Sequence, residues 1–154
     1  MKVSKGRYDY SESEGDKAEN EFVLLMQERG NVVKKATPEE DMYKHIDYFV
    51  NGMGVDVKGN RHLECIWLEI RNVRGDKGWL MGESDYIAFD VKELNSFCIF
   101  KREALLEWVK ENIKEYTDSK TEFNKFYTRK KWGKKDILTK VKYKTIEHLI
   151  THRS

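Results

Sequence analysis

Two acids and a lysine stand close together near the middle of the chain, in a setting that would otherwise be apolar. Asp47 interrupts the run His45-Ile46-Asp47-Tyr48-Phe49-Val50, Asn51-Gly52-Met53-Gly54 follows, and Val55-Asp56-Val57-Lys58 completes the segment. An acid between Ile46 and Tyr48-Phe49-Val50 is costly unless something satisfies it. Side chains alternate along a strand, so Asp56 and Lys58 emerge on the same face. Carboxylates converging beside an ammonium suit a hard divalent cation and a phosphate. Cutting a phosphodiester in water requires that charge on the phosphoryl oxygens be stabilised, a water be activated and the leaving oxygen be helped away. Asp47 and Asp56 are the candidate ligands of Mg²⁺, with Mn²⁺ as a substitute, and the backbone carbonyl of Val57 is a further one. Lys58 is the candidate to orient or deprotonate the water and to stabilise the transition state.

The elements that must position these groups are legible as periodicities. β-Branched and aromatic runs on either side of a glycine-containing turn predict a β-hairpin. Upstream, Asp16 can cap a helix beginning near Lys17, with Phe22, Val23, Leu25 and Met26 as its apolar stripe and Gly30 as its stop. At about 100° per residue, Glu19 lies beside that stripe and Glu21 well off it. Glu19 is therefore the better fourth polar group and Glu21 the fallback; either also fits as a helix-start acid facing the macrodipole. Thr37-Pro38-Glu39-Glu40 predicts a short helical turn ending near Lys44. Downstream, Cys65–Ile70 reads as a third strand, Tyr86–Phe89 as a fourth and Phe97–Phe100 as a fifth. Glu103–Tyr116 reads as a helix with Leu105, Trp108, Val109 and Ile113 inward. Glu69 points away from Ile66, Leu68 and Ile70, either toward the acids as a second-metal ligand or support for Lys58, or to solvent beside Arg71. His45 shares Asp47's face and is a candidate phosphate contact. The order predicts a mixed α/β sheet flanked by helices.

Composition narrows the function classes. A chain of 154 residues, 39% hydrophobic and 36% charged, suits one domain with a proper core. No apolar run is long enough to span a bilayer, and no signal-peptide pattern opens the chain, so the expectation is a soluble cytoplasmic protein without a membrane partner. Cys65 and Cys98 sit in apolar, strand-like runs and read as buried free thiols, with no zinc-site spacing. The net charge of +2 conceals an asymmetry: residues 120–154 hold eleven Lys/Arg against three acids. That region includes Arg129-Lys130-Lys131-Trp132-Gly133-Lys134-Lys135. Arg129, Lys130, Lys131, Lys134 and Lys135, interleaved with Trp132, are the candidate DNA-backbone contacts. The expected organisation is a flexible lead-in over 1–14, a core over 15–119 and a basic, helical C-terminal region over 120–154, packed on the core or extending it.

The order helix acid, hairpin acid, acid-x-lysine resembles the PD-(D/E)xK nuclease superfamily, in particular its small phage-encoded members and archaeal-type Holliday-junction resolvases. The resemblance covers roughly Gly15 to Phe89. The family's helix glutamate falls on Glu19, its first acid on Asp47 and its (D/E)-x-K on Asp56-Val57-Lys58. Trp67–Asn72 and Gly75–Leu80 look like a stretch that recurs in phage-type members. Ile46 stands where the family has proline before the first acid, and the second acid is aspartate rather than glutamate. The resemblance implies a restriction-endonuclease-like fold, with a helix followed by a three-strand meander, and a Mg²⁺-dependent DNA endonuclease. It further implies a phage-encoded, structure-selective enzyme acting on duplex or branched DNA as a homodimer in the host cytoplasm. The segment between the third and fourth strands is short. Either the usual crossover helix is abbreviated around Gly78–Ser84 or the fourth strand pairs differently. The alternative function is a non-catalytic nucleic-acid-binding or phage regulatory protein on the same scaffold.

Overall fold

A computed structural model describes the backbone of residues 2–154 and the side chains of residues 15–154. Helix α1 spans Lys2–Glu28. It runs straight through Asp16, which the sequence reading had placed as a cap, and through the segment read as a lead-in. No proline interrupts that stretch, and glutamate and lysine are good helix formers that compensate for Gly6 and Gly15. Ala18, Phe22 and Met26, one turn apart, form its buried edge. The helix ends in a Schellman arrangement: Asn31 N–H donates to the Met26 carbonyl (3.0 Å) and Gly30 N–H to that of Gln27 (3.0 Å). Gly30 takes the left-handed φ of 83° that this ending requires.

The chain then builds a six-stranded sheet from β1 (Val33–Lys35), β2 (Tyr48–Val50), β3 (Met53–Arg61), β5 (Tyr86–Val91), β6 (Ser96–Lys101) and β10 (Ile150–Arg153). Its order is β1-β2-β3-β5-β6-β10, antiparallel except for the parallel β3–β5 pair. The Asn51-Gly52 turn joins β2 to β3, both residues having positive φ, which is the chemistry of a tight hairpin. Between β1 and β2, Thr37 and Glu40 cap a π-helical turn, Glu40–Lys44, reciprocally: Glu40 N–H donates to Thr37 Oγ1 and Thr37 N–H to Glu40 Oε1.

A mixed sheet with flanking helices is the expected class, but one strand departs from the expected meander. β4 (Ile66–Arg71) leaves the main sheet and pairs with β9 (Ile137–Val141). With β8 (Phe126–Thr128) and β7 (Tyr116–Thr117) these form a second sheet, ordered β4-β9-β8-β7. The short link after β4 holds only a 3-10 turn, Trp79–Met81, and β5 returns parallel to β3. The C-terminal region also differs from its helical expectation. Ile137, Thr139 and Val141 alternate with period two, and strand pairing buries Thr139 and Val141 completely. Tyr143–Ile146 (α3) and the 3-10 turns Lys130–Trp132 and Glu147–Leu149 are the helical pieces there, and β10 forms an edge of the main sheet.

The main sheet therefore separates two apolar cores. Val55, Val57, Ala88 and Ile99 meet Phe22 and Met26 of α1 on one face. On the other, Ile87, Phe89 and Phe100 pack with Ile66 and Leu68 of β4 and with Leu105 and Val109 of α2 (Arg102–Asn112). Both cysteines are free thiols. No helix among the described residues is long and apolar enough to cross a membrane. Phe22 is 1% exposed and carries the contact between α1 and the sheet. Phe22→Ala is expected to cost about 3–5 kcal/mol, read as a lowered urea midpoint with an unchanged m-value.

Candidate active site

β3 is apolar on one face and ionic on the other. Val55 and Val57 point to α1, so the alternation sends Asp56 and Lys58 to the opposite side. Asp47 immediately precedes β2, whose Tyr48 pairs with Val55, and its carboxylate lies beside that of Asp56. The backbone of Asp47 continues the ladder, its N–H donating to the Val55 carbonyl (2.9 Å) and its carbonyl accepting from Ala36 N–H (3.0 Å). The structure thus brings together the two acids that the sequence singled out, and both are buried.

Each carboxylate is held differently. Asp47 Oδ2 accepts from Val57 N–H at 2.7 Å, which fixes its orientation. Asp56 Oδ1 lies 3.2 Å from Lys58 Nζ, whereas Oδ2 is buried with no hydrogen-bond partner. Burial pushes the Asp56 carboxyl up to about 8; the Lys58 ammonium opposes the rise and the Asp47 charge adds to it. Lys58 Nζ also sits 5.1 Å from the centroid of the Trp79 ring. Trp79 is placed by Glu69, whose Oε1 accepts from Trp79 N–H (3.3 Å). At Gly78, a Cβ would lie 2.6 Å from the Glu69 carbonyl oxygen, so glycine is what lets this turn close. Glu69, weighed as a second-metal ligand, belongs to the second sheet and acts here as an anchor for the Trp79 turn.

Glu19 reaches the site from α1. Its Oε1 accepts from Tyr48 Oη at 3.3 Å. Burial raises its carboxyl, the charge of Asp47 adds to the rise, and Lys35 and Tyr48 oppose it. The Tyr48 hydroxyl is pushed up to about 12 by burial and by Glu19. Glu21 is exposed on a different part of α1, alongside Leu24, Asp90 and Ser96. The sequence reading passed over Asp41, in the π-helical turn. Desolvation raises its carboxyl first and the Asp47 charge second, which places a further acid beside the pair. Its position next to Glu39-Glu40 disguised it as a helix-start acid. Among the described residues, no three His, Cys, Asp or Glu side chains are gathered as a ready-made metal cage. His45, two residues before Asp47, adopts a left-handed conformation (φ 57°), with Nε2 3.2 Å from the Lys77 carbonyl.

The basic run divides into two roles. Arg129 Nη2 is 2.6 Å from Oδ2 of buried Asp136 and braces the turn from within. Lys131 pairs with Asp118 (2.9 Å) and lies over Trp132, an exposed contact of little energetic weight. Lys130, Lys134 and Lys135 are exposed and make no ion pair among the described residues. Lys135 Cδ lies 3.1 Å from where a Cβ on Gly75 would stand, so this turn abuts the loop carrying Arg74 and Lys77. That loop in turn touches His45. The exposed lysines are thus connected to the acids through neighbouring loops.

No known family model and no curated protein matches the sequence. Among solved structures, the chain is similar to that of a bacterial homing endonuclease, I-Ssp6803I, at 21% identity and a TM-score of 0.43. The match covers 60% of this chain and 66% of that one. At that distance, what the acids and the lysine can do is decided by their own chemistry.

The folded protein keeps a proton on Asp56 over a pH range in which the unfolded chain has lost it, so this group lowers stability as pH rises from about 4 to 8. In EDTA, Asp56→Asn is therefore expected to be more stable than the parent at pH 8, by at least about 1 kcal/mol, and to lose that advantage toward pH 4. Urea melts across the range check this; a gap independent of pH would contradict it.

Proposed function

We propose that the chain is a metal-dependent DNA endonuclease that hydrolyses phosphodiester bonds. The observation that carries the reading is the Asp56 carboxylate: buried, opposite a second carboxylate, held at one oxygen by Lys58 and unpartnered at the other. Burial makes this carboxyl hold its proton in the absence of a cation, and a cation bound at the open oxygen would take the proton's place. The donor set is all oxygen, which suits Mg²⁺, with Mn²⁺ as a substitute. Asp47 and Asp56, with the Val57 carbonyl, would hold the ion, and Glu19 would support it from α1. When bound, such an ion stabilises charge on a phosphoryl oxygen and makes a coordinated water more acidic.

The remaining chemistry belongs to the side chains. Asp47 is oriented by the Val57 amide before any substrate arrives, so its geometry is preorganised. Lys58 presents its ammonium between Asp56 and the Trp79 ring, where it can stabilise the negative charge that gathers on the phosphoryl group and orient the attacking water. Lys130, Lys134 and Lys135, with Arg74 and Lys77, supply phosphate contacts away from the cut. The finer reading is junction-resolvase-like, structure-selective cutting of branched DNA by a phage-encoded homodimer. It is supported by the resemblance carried by Glu19, Asp47 and Asp56-Val57-Lys58.

The test incubates supercoiled plasmid, a four-way junction and linear duplex with the protein in Mg²⁺, Mn²⁺ or EDTA, alongside Asp56→Asn and Lys58→Ala. Metal-dependent cleavage that falls by about 10²-fold or more in both variants is the expected outcome. Binding without cleavage on every substrate and with every metal would instead support the non-catalytic reading. Preference for the junction over plasmid and duplex checks the structure-selective part.

A further inference from the structure

The ionic face of β3 does not end at Lys58. Lys58 pairs with Phe89, yet Arg61 pairs with Val91, so three steps along β3 match two along β5. The extra residue is a β-bulge, and Asn60 adopts a left-handed φ of 56° within it. Without the bulge, Arg61 would point to the α1 side with Val55 and Val57. With it, Arg61 joins the face of Asp56 and Lys58, and its guanidinium carbon lies 5.9 Å from the centroid of the Phe89 ring.

The guanidinium placed there is poorly satisfied. Of its five N–H donors, one is engaged among the described residues: Nη1 donates to the Gly59 carbonyl at 2.8 Å. Among the described residues, Nε is buried with no partner and the group makes no ion pair. Burial lowers its pKa and the charge of Asp56 opposes the change, so the cation senses the acids without touching them. Two complementary buried atoms, Asp56 Oδ2 and Arg61 Nε, are therefore left open on the same strand face. Buried cations are normally paired, and a bulge that turns one toward an anion-handling site calls for an anionic partner.

We infer that Arg61 binds a phosphate of the DNA strand next to the one being cut, forming with Lys58 a two-cation clamp along β3. This rests on the endonuclease reading and adds to it a substrate-binding residue. A guanidinium grips phosphate oxygens through paired N–H donors, whereas the Lys58 ammonium acts as a point charge, so the two are not equivalent.

Binding of a fluorescein-labelled duplex, followed by anisotropy in EDTA between 50 and 300 mM salt, tests the clamp without requiring catalysis. Arg61→Gln is expected to weaken binding about tenfold and to reduce the slope of log affinity against log salt by about 0.9. Arg61→Lys should keep the slope while losing part of the affinity. Circular dichroism establishes that each variant is folded. Should Arg61→Gln fail to fold, Arg61→Lys decides: affinity equal to the parent's would overturn the assignment. A folded Arg61→Gln with unchanged affinity and slope would overturn it as well, leaving the endonuclease reading intact. Should the parent bind the duplex too weakly to measure, the same titration is run on a labelled four-way junction; absence of binding to both, in EDTA and in Mg²⁺, would defeat both readings.

Discussion

The carboxyl groups of Asp47, just before β2, and Asp56, on β3, lie side by side and buried, and two ionised acids so close in a poorly solvated setting oppose folding. Everything nearby can be read as the means of tolerating that arrangement. The Val57 amide neutralises part of the burden on Asp47, and Lys58 does so for one oxygen of Asp56. The carboxyl of Asp56 is pushed far up, and its second oxygen stays open. A structure selected for stability alone would place valine or isoleucine at such positions. The pair is instead what the proposed cation site would require.

The scaffold serves this constraint through the two faces of β3. Val55 and Val57 bind the strand to Phe22 and Met26 of α1, which fixes the strand and brings Glu19 to the rim. The opposite face carries Asp56 and Lys58, and it is covered by a turn anchored in a different sheet. Glu69 holds Trp79, and Trp79 lies against the Lys58 ammonium. Through this turn the second sheet, already packed on the main sheet by Ile66 and Leu68, also reaches the Lys58 ammonium. It also bears the cationic loops that face outward around Lys130 and Lys135. The paired acids and the exposed lysines are in this way carried by separate sheets, which share an apolar core and meet again at the Gly78–Trp79 corner.

Much of the site was legible because strand alternation is short-ranged. Asp47, Asp56 and Lys58 follow from a hairpin whose turn residues and apolar runs lie within fourteen residues. Glu19 follows from helical angle alone. Three features depended on tertiary information that local pattern lacks. Asp41 looked like one of several acids starting a helix, and only the fold brings it against Asp47. The departure of β4 to a second sheet depends on β9, about seventy residues away, whose alternating Ile137, Thr139 and Val141 were hidden in a lysine-rich stretch that reads equally well as an amphipathic helix. Arg61 is on the ionic face because of a single inserted residue, and strict period two assigns it to the other side. Charge counting likewise singled out the Arg129–Lys135 run, but could not tell that Arg129 braces Asp136 internally while Lys130, Lys134 and Lys135 make no ion pair among the described residues.

The central claim is that the open oxygen of Asp56 and its neighbour Asp47 form a cation site. Chemical denaturation of the parent, Asp47→Asn and Asp56→Asn, each in EDTA and in rising Mg²⁺, measures this without any substrate. A ligand that binds only the folded state stabilises it by an amount that grows with concentration, about 2.7 kcal/mol at a hundredfold excess over the dissociation constant. The account predicts such a Mg²⁺-dependent rise for the parent and its loss in both variants. An equal response in all three proteins, or none in the parent, would contradict it.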